Sequence, residues 1–459
     1  MPPLSTWKVS QKIAVGPARS AAIVGGGLSG LTAAFRLQCA GWSVKVFEAE
    51  EVVGGRVQTV TRDGYLLDTG ASALTSSYHA YRELAKELGL ESDIVFSAQQ
   101  VGVYARHKIH LLDLEHVVRS GLTTKLLSFG AKLRLVRLAY DVFRAQQRGQ
   151  IDFVNLGNAA PLDTETIQQY ARRALSGEID DYLCSPIART MLIAESDQIS
   201  KVELFSGLAN IITAKMYAFR GGQGRFARVL AEKLNVSLSH TVTRVSDQGD
   251  HVVVESTGGF MAGRSLPGSE KFDACVIACP LPVAATICPD RKALLDPLNS
   301  ALSYTKAITV AVATHVTPQC PAFLIQLPAC EDSEIALVFV EHNKCADRTP
   351  PGRGLFGCDW AADASAAWFD RPDAQIAART ERTIYKLFPE LRGQVVFTHV
   401  TRWQAALPYT KVGAYRHIAQ FNAAVNPASR IQFAGDYMSG AGQNTAIEYG
   451  NRAAHSLLR

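Results

Sequence analysis

A glycine-rich turn constrains the fold of this chain more than any other feature of its sequence. The turn occupies residues 25–30, reads Gly-Gly-Gly-Leu-Ser-Gly, and follows a short apolar run at residues 21–25. Apolar residues then recur at helical spacing across residues 28–40, and residues 43–47 have the pattern of a second strand. A strand, a glycine turn, a helix and a strand within about thirty residues predict a βαβ unit.

Three glycines of this turn and one acidic residue suit a dinucleotide site. Gly25, Gly27 and Gly30 match the GxGxxG pattern. Its glycines permit a tight turn, close approach of the backbone to a pyrophosphate, and close packing of helix on strand. Glu48 ends the second strand, where a carboxylate accepts hydrogen bonds from ribose hydroxyls. A glycine turn alone is weak evidence, but this one lies between a predicted strand and a predicted helix, and the sequence therefore predicts dinucleotide binding.

A second glycine pair, Gly54 and Gly55, follows soon after and is itself followed by Arg56. This arrangement can bring a guanidinium onto a pyrophosphate, or it can be a surface turn with a solvated arginine. The longer stretch at residues 48–72, EAEEVVGGRVQTVTRDGYLLDTGAS, resembles the flavin amine oxidase superfamily, which includes protoporphyrinogen oxidases and carotenoid-type desaturases. The resemblance implies that both glycine motifs bind FAD and that residues 68–70 form the acidic turn that usually follows them.

The resemblance extends to the C-terminal part of the chain and implies further FAD contacts. In this match Val242 contacts the adenine end of FAD through its backbone, and Gly435 and Asp436 contact the ribityl or pyrophosphate region. The helix amides that face the flavin pyrimidine are those of Asn444, Thr445 and Ala446. Monoamine oxidases attach their flavin to a cysteine, and this chain has about Ala414 there, so the resemblance implies noncovalent FAD.

The expected fold class is α/β, with a Rossmann-type, GR2-like FAD-binding domain and an inserted α+β substrate domain. We expect the FAD-binding domain to combine residues 18–78, 215–282 and 396–459. The inserted parts are then a mainly helical segment at residues 79–214 and a segment of sheet and helices at residues 283–395.

Two departures from the amine oxidase pattern bear on the chemistry. Amine oxidases of this superfamily commonly carry a lysine that holds a water near flavin N5, and the matching position here falls near Thr309, three residues after Lys306. They also flank the substrate nitrogen with two aromatic rings. Tyr415 can supply one ring, but the second position falls at about Gly442. We therefore expect an incomplete amine-binding cage.

Other segments resemble the protoporphyrinogen-oxidase-like branch more closely, and they lie at residues 165–186, 403–409 and 435–450. The arginine often found in the early substrate strand of true protoporphyrinogen oxidases is not evident in residues 99–113. The resemblance therefore indicates the branch and leaves the substrate open. The candidate pocket walls are Trp403, Tyr409 and Tyr415, and ordinary core aromatics are the alternative interpretation.

Together these patterns predict an FAD-dependent oxidase or dehydrogenase. We expect a hydride to leave a C–H bond beside nitrogen or a conjugated system of a largely apolar small molecule and to pass to flavin N5, with oxygen as the acceptor. The flavin carries the difficult chemistry, and no catalytic base is evident. A true amine oxidase that produces an imine is the alternative among enzymes, and a noncatalytic FAD-binding protein is the alternative outside them.

Composition argues against several other classes of protein. The net charge of +5 comes without interleaved basic and aromatic residues, so we expect no nucleic-acid partner. The histidines show no HxH or HxxxH pair beside carboxylates, and we expect no metal site. The nine cysteines are scattered and residues 1–20 lack the apolar core of a signal peptide, which favours reduced thiols in a cytoplasmic protein. The oligomeric state is not indicated.

A basic segment at residues 125–148 leaves two interpretations open. Lysines and arginines are interspersed there with leucines and valines, as in helices that lie on anionic membranes. We expect instead a solvated outer face on a helix of the substrate domain, with attachment to a membrane surface as the alternative. No stretch of the sequence has the length and apolar character needed to span a bilayer.

Overall fold

The computed structural model describes residues 19–211, 214–261 and 264–459, so the segment at residues 1–20, expected to be no signal peptide, lies almost wholly outside the described residues. The described strands, β1 to β22 in chain order, are Ser20–Val24, Ser43–Phe47, Thr59–Arg62, Tyr65–Asp68, Leu74–Thr75, Ile94–Phe96, Gln100–Ala105, Lys108–Asp113, Met216–Phe219, Val236–Ser237, His240–Asp247, Val252–Met261, Arg264–Phe272, Ala274–Ile277, Ser303–Tyr304, Ala307–Thr314, Leu324–Gln326, Ile335–Val340, Gly354–Trp360, Val395–Trp403, Pro408–Tyr409 and Ile431–Phe433. The described α-helices, α1 to α16, are Leu28–Cys39, His79–Glu87, Val117–Thr123, Phe129–Gln147, Ile167–Ala174, Gly177–Ile179, Ser185–Leu192, Lys201–Ile211, Gly224–Ala231, Leu281–Ile287, Lys292–Ala301, Glu341–Lys344, Ala362–Trp368, Asp373–Leu387, Ala414–Ala424 and Gln443–Leu457.

A five-stranded parallel sheet forms the core of the part of the chain that the sequence predicts to bind a dinucleotide, in the order β10-β2-β1-β14-β22. Its central strand β1 is almost entirely apolar because helices cover both faces of such a sheet. Helices α1 and α16 pack against each other, and a Cβ on Gly450 would lie 2.4 Å from the carbonyl oxygen of Ser29. The two ends of the chain therefore meet in one unit, and the α/β class is confirmed.

A seven-stranded sheet, in the order β20-β16-β19-β18-β17-β7-β8, forms the core of the second part of the molecule. Side chains alternate between its two faces. Ile308, Val310 and Val312 of β16 pack among the apolar residues of α14, while Ala311 and Ala313 pack against Tyr65 and Leu67 of β4. One face of this sheet therefore points toward the nucleotide-binding part of the chain.

The structure departs from the sequence prediction at several elements. Strands β7 and β8 lie in the segment expected to be mainly helical, and they join the seven-stranded sheet. Strand β20, which begins the segment at residues 396–459 that we expect to belong to the FAD-binding domain, pairs with β16 in the same sheet. Strand β13 was not predicted, because Pro267 interrupts its strand pattern. It pairs only with β12 and forms an edge of its sheet, where a proline is tolerated.

Candidate cofactor and active site

The first glycine turn joins β1 to α1 in the conformation that the GxGxxG pattern predicts. Gly25 has a φ of +108°, which favours glycine. A Cβ on Gly30 would lie 2.0 Å from the carbonyl oxygen of Gly25, so only glycine lets the helix approach the strand. A Cβ on Gly27 would meet no described atom within 4 Å, and no side chain caps α1 at this residue. The amides at the start of α1 therefore adjoin open space that can hold a phosphate.

Glu48 directly follows β2, and its side chain is buried against this glycine turn. One carboxylate oxygen accepts the backbone N–H of Gly26 at 2.6 Å, and the other accepts that of Glu50 at 2.9 Å. An ionised carboxylate has about four acceptor positions, so two remain for ribose hydroxyls. The carboxylate thus also holds the turn in place, which the sequence did not indicate.

The second glycine pair lies directly on the first glycine turn. Gly54 and Gly55 have φ values of +107° and +56°, both in the left-handed region. The N–H of Gly54 donates to the carbonyl of Gly26 at 2.8 Å, and a Cβ on Gly55 would lie 3.4 Å from Cα of Gly27. The two motifs, separate in sequence, therefore form one continuous backbone surface.

Arg56 and Asp436, predicted from opposite ends of the chain, form a two-pronged ion pair. Two guanidinium nitrogens lie 3.0 Å from the two carboxylate oxygens, and one also donates to the carbonyl of Ala406 at 2.7 Å. Burial lowers the pKa of Arg56, but the Asp436 carboxylate more than offsets this and the pKa is raised. The arginine therefore keeps its charge and is held in place directly after the second glycine pair, and its contact with a pyrophosphate stays a prediction.

Helix α16 begins beside these motifs with no side-chain cap at Gly442. The side-chain oxygen of Asn444 accepts the N–H of Tyr81 at 3.2 Å, so this side chain is engaged and its backbone amide is the group available to a ligand. Gln443 is buried, and neither atom of its side-chain amide has a hydrogen-bond partner among the described residues. A buried amide of this kind needs a polar ligand. The sequence resemblance indicates Asn444, Thr445 and Ala446 as cofactor contacts, but it does not indicate Gln443, the first residue of the helix.

Val242 lies in β11 near the Glu48 end of the site. The strand is tied to that end by the N–H of His240, which donates to the carbonyl of Glu48 at 2.8 Å. The pairing of β11 with β12 shifts register between Val242 and Arg244. This bulge interrupts the ladder at the residue expected to present its backbone to adenine, and that contact stays a prediction.

Comparison with known proteins establishes the family. Residues 28–458 match the sequence profile of the family described as flavin containing amine oxidoreductase. This chain belongs to that family. It is an FAD-dependent oxidoreductase, and the glycine turns, the uncapped starts of α1 and α16 and the unpaired amide of Gln443 fit such a cofactor.

Relatives of this flavin amine oxidoreductase include porphyrinogen oxidases, as the sequence resemblance predicts. The coproporphyrinogen III oxidase of Bacillus subtilis (strain 168) is 23% identical over 488 residues, which cover 95% of this chain and 97% of the relative. Among solved structures, cyclohexylamine oxidase from Brevibacterium oxydans IH-35A has a TM-score of 0.75 at 19% identity, covering 96% of this chain and 100% of that one. Putrescine oxidase bound to putrescine has a TM-score of 0.76 at 19% identity, covering 96% and 99%. The structural likenesses show the fold alone.

In this oxidoreductase, the strand position expected to lack the amine oxidase lysine is occupied by a hydrogen-bonded pair. Thr309 of β16 donates to Asp359 of β19 at 2.7 Å. Burial, together with the nearby Glu341 carboxylate, raises the pKa of Asp359 to about 6, although the bond from Thr309 lowers it. Lys306 precedes β16 and lies over the ring of Phe369, 4.5 Å from its centroid. The lysine is thus engaged away from Thr309.

Trp403 lies between the flavin amine oxidoreductase's two parts. It stands opposite Ala307 in the pairing of β20 with β16, and its indole N–H donates to the carbonyl of Thr69 at 2.7 Å. Its ring also packs beside an apolar group formed by Ile193, Ala307, Ala362 and Ala406. This position, between the acidic turn and the substrate sheet, suits a pocket wall.

Tyr409 and Tyr415 pack in two apolar clusters that differ from the one beside Trp403. The hydroxyl of Tyr409 donates to Gln198 at 2.7 Å, and its ring packs among the helices of the substrate part. Tyr415 is fully buried, and its hydroxyl donates to the Glu203 carboxylate. This enclosure by protein fits the alternative interpretation of an ordinary core aromatic, and a place for Tyr415 in the pocket wall stays a prediction.

The acidic turn at residues 68–70 is held by a buried ionic cluster that the sequence did not reveal. Asp68 lies 3.0 Å from Arg348 and 3.3 Å from Lys344, and it accepts the backbone N–H of Gln223 at 2.9 Å. Burial disfavours the carboxylate, but the two cations hold the pKa of Asp68 below its usual value. The cluster joins the acidic turn to the substrate part of the chain.

Proposed function

We propose that this enzyme dehydrogenates a largely apolar, ring-containing small molecule at a C–N or conjugated C–C bond, with hydride transfer to flavin N5 and oxygen as the acceptor. The Thr309–Asp359 pair supports the proposal, because the sequence resemblance puts the lysine position of amine oxidases near Thr309 and the hydroxyl there is bonded to a carboxylate. A neutral hydroxyl bonded to a carboxylate cannot supply the same positive charge.

The residues beside Trp403 support an apolar substrate. Ile193, Ala307, Ala362 and Ala406 present small apolar surfaces beside Trp403. Gly442 offers no ring at one of the two positions where the resemblance places the cage, and the hydroxyl of Tyr415, at the other position, is engaged by Glu203. A site of this kind binds its substrate mainly by excluding water from apolar surface.

The chain's own residues hold and orient the reacting groups. When bound, FAD supplies the hydride acceptor. Glu48 would accept hydrogen bonds from the ribose, and Arg56, fixed by Asp436, would pair with the pyrophosphate. The free amides at the start of α16 would stabilise negative charge on the flavin ring system. Trp403 would hold the substrate against the acidic turn.

Anaerobic reduction by a panel of substrates tests the proposal. The FAD-loaded protein is mixed in a stopped-flow instrument with coproporphyrinogen III, protoporphyrinogen IX, putrescine or cyclohexylamine, and flavin absorbance is followed before and after air is admitted. We expect a porphyrinogen to bleach the flavin at least about tenfold faster than either amine, a difference of roughly 1.4 kcal/mol in barrier. Faster reduction by an amine would favour the imine-forming alternative, and no reduction by photochemical or chemical means would favour the noncatalytic one.

Two further expectations accompany this proposal. We expect acid or heat denaturation to release the flavin into the supernatant, since Ala414 stands near the attachment position and offers no thiol. All nine cysteines are free thiols, which suits a reducing compartment such as the cytoplasm.

A further inference from the structure

Exposed apolar side chains are concentrated on two helices of the substrate part. Of the sixteen large hydrophobic residues that are exposed in the described chain, seven lie on α3 and α4, and they are 53% to 77% exposed. They are Val118, Leu122, Phe129, Leu133, Val136, Tyr140 and Phe143. We refer to these seven residues as the docking face. Single exposed hydrophobics are ordinary on a protein surface, but a contiguous group marks an interaction site.

The five members of the docking face on α4 form one stripe. Their spacings of four and three residues place them within an arc of roughly 80°, at about 100° per residue. The residues of α4 that are buried in the protein lie on the opposite side, and they are Ala131, Leu138, Val142 and Ala145. The helix thus already packs its core face, and the stripe is a second apolar surface that the fold does not cover.

Helix α3 continues this surface at the start of α4. The ammonium of Lys132 donates to the carbonyl of Leu122 at 2.8 Å, which holds the end of α3 against the first turn of α4. Leu122 and Val118 are one turn apart on α3 and both are exposed. The docking face therefore extends over both helices.

Cations border the docking face, with few acidic groups to neutralise them. Arg137, Arg144 and Arg148 lie along one side of the stripe, at about 60° to 100° from its centre. Asp141 is the one acidic residue in α4, and it already accepts hydrogen bonds from Arg137 at 2.8 Å and Tyr170 at 2.9 Å. Within the described residues no carboxylate contacts Arg144 or Arg148. The border is therefore complementary to an anionic partner.

A basic cavity opens at this border. Its volume is about 190 Å³. The cations that line it are Arg137, Arg144, Arg148, Arg173 and Lys201. Glu165 pairs with Arg173 and Lys201, at 2.7 Å and 2.8 Å, and Asp141, which also lines the cavity, pairs with Arg137, so Arg144 and Arg148 are the arginines available to a ligand. Such a cavity suits an anionic headgroup.

A second copy of the chain fits this face poorly. In an antiparallel pairing about a twofold axis, the stripes would meet and the arginine borders would face each other. The engaged Asp141 offers them no compensation. Moreover, no helix among the described residues has the length and apolar composition needed to cross a membrane.

We propose that α3 and α4 dock the enzyme on the surface of an anionic lipid membrane. The docking face enters the boundary between headgroups and acyl chains, as amphipathic helices do, and Arg144 and Arg148 pair with lipid phosphates. Burial of the apolar docking face favours binding, and the charges of Arg144 and Arg148 give a preference for anionic lipid. This inference does not rest on the proposed function, since it uses no residue of the cofactor or substrate site.

Vesicle co-sedimentation of the FAD-loaded full chain tests the proposal. The probes are vesicles of phosphatidylcholine alone and of phosphatidylcholine with about 30 mol% phosphatidylglycerol, since anionic headgroups attract basic segments. We expect the protein to sediment with the anionic vesicles, with a partition coefficient at least about tenfold above that for the neutral ones, and we expect salt to weaken the binding. Absence of binding to anionic vesicles, or equal binding to both, would overturn the proposal.

Matched variants identify the surface that binds. The triple variant Val118→Ser, Val136→Ser and Phe143→Ser changes exposed positions of the docking face and should reduce partitioning at least about tenfold. The control variant Phe96→Ser, Val316→Ser and Val396→Ser removes the same residue types from exposed positions elsewhere and should bind as the wild type does. Equal losses in both would overturn the proposal. Flavin content and thermal melting confirm that each variant is folded.

A charge variant and a mass measurement distinguish binding to a membrane from binding to a second copy of the chain. Arg144→Gln with Arg148→Gln should reduce the preference for anionic vesicles while flavin content stays unchanged. Sedimentation velocity without lipid should give the same mass for wild type and the docking-face variant. A wild-type dimer that the variant converts to monomer would show that the face binds a second copy, and the membrane proposal would then be wrong.

Discussion

The substitution Glu48→Gln tests the geometry of the cofactor site most directly. In the structure both carboxylate oxygens are engaged, one by the N–H of Gly26 at 2.6 Å and the other by the N–H of Glu50 at 2.9 Å. Glutamine has nearly the same shape but only one acceptor oxygen. Whichever way the amide is turned, its NH₂ group must face one of these backbone donors, and the negative charge is lost.

Two effects of measurable size follow from this geometry. A hydrogen bond to a charged group contributes roughly 1.5–3 kcal/mol, so loss of the charged ribose acceptor should raise the Kd for FAD about ten- to a hundred-fold. A buried N–H left without an acceptor costs about 1–3 kcal/mol, so the apoprotein should lose a comparable part of its free energy of unfolding. The substitution therefore weakens both the cofactor complex and the empty fold.

Fluorescence titration of apoprotein with FAD gives the Kd, and urea unfolding of the apoprotein gives its stability. Glu50→Gln is the matched control, because it removes the same charge from an exposed side chain while its backbone N–H still reaches Glu48. An unchanged Kd in Glu48→Gln would remove this carboxylate from the ribose site. A weakened Kd with unchanged apoprotein stability would refute the inference that the carboxylate holds the glycine turn.

Three more predictions follow from the same structure. Asp436→Asn removes the anionic partner of Arg56 and should lower apoprotein stability by roughly 1–3 kcal/mol; a double-mutant cycle with Arg56→Met measures the coupling, and additive losses would contradict the pairing. Lys306→Met should slow either flavin half-reaction less than about tenfold, or roughly 1.4 kcal/mol of barrier, and a hundred-fold loss in stopped flow would restore the lysine-dependent amine oxidase reading. The folded-state pKa of Asp359, about 6, exceeds its ordinary value of 3.8, so the stabilising contribution of its neutral form is lost as pH rises from about 4 to about 6. Asp359→Asn should therefore gain stability relative to wild type, by up to roughly 3 kcal/mol, between about pH 4 and pH 7.5 in urea unfolding, and a constant difference would contradict this pKa.

The nucleotide site was predictable from sequence because its requirements are local. A left-handed φ at Gly25 and Gly54, or the absence of a Cβ at Gly30, is a steric demand that only glycine meets. Glu48 follows its strand directly, so its position needs no distant contact.

The substrate side of the site could not be predicted from the sequence, because it depends on contacts between residues far apart in the chain. Asp68 and Lys344 are 276 residues apart, and Thr309 and Asp359 are 50 apart. No local pattern indicates that such side chains meet. Tyr415 shows the same limit, since its position in the family pattern suggested a pocket while the fold encloses its hydroxyl against Glu203.

The basic segment at residues 125–148 shows most clearly what the sequence determines and what only the tertiary structure decides. By itself the sequence determined that residues 125–148 carry cations among apolar residues at helical spacing, which predicts an amphipathic helix. Helix α4, however, has apolar residues on two opposite sides, and periodicity cannot say which side the protein covers. Only the tertiary structure decided this, by packing Leu138 and Val142 inward and leaving Val136 and Phe143 exposed. The reason is physical: local spacing sets which side chains share a helix face, whereas burial depends on what the rest of the chain places against that face.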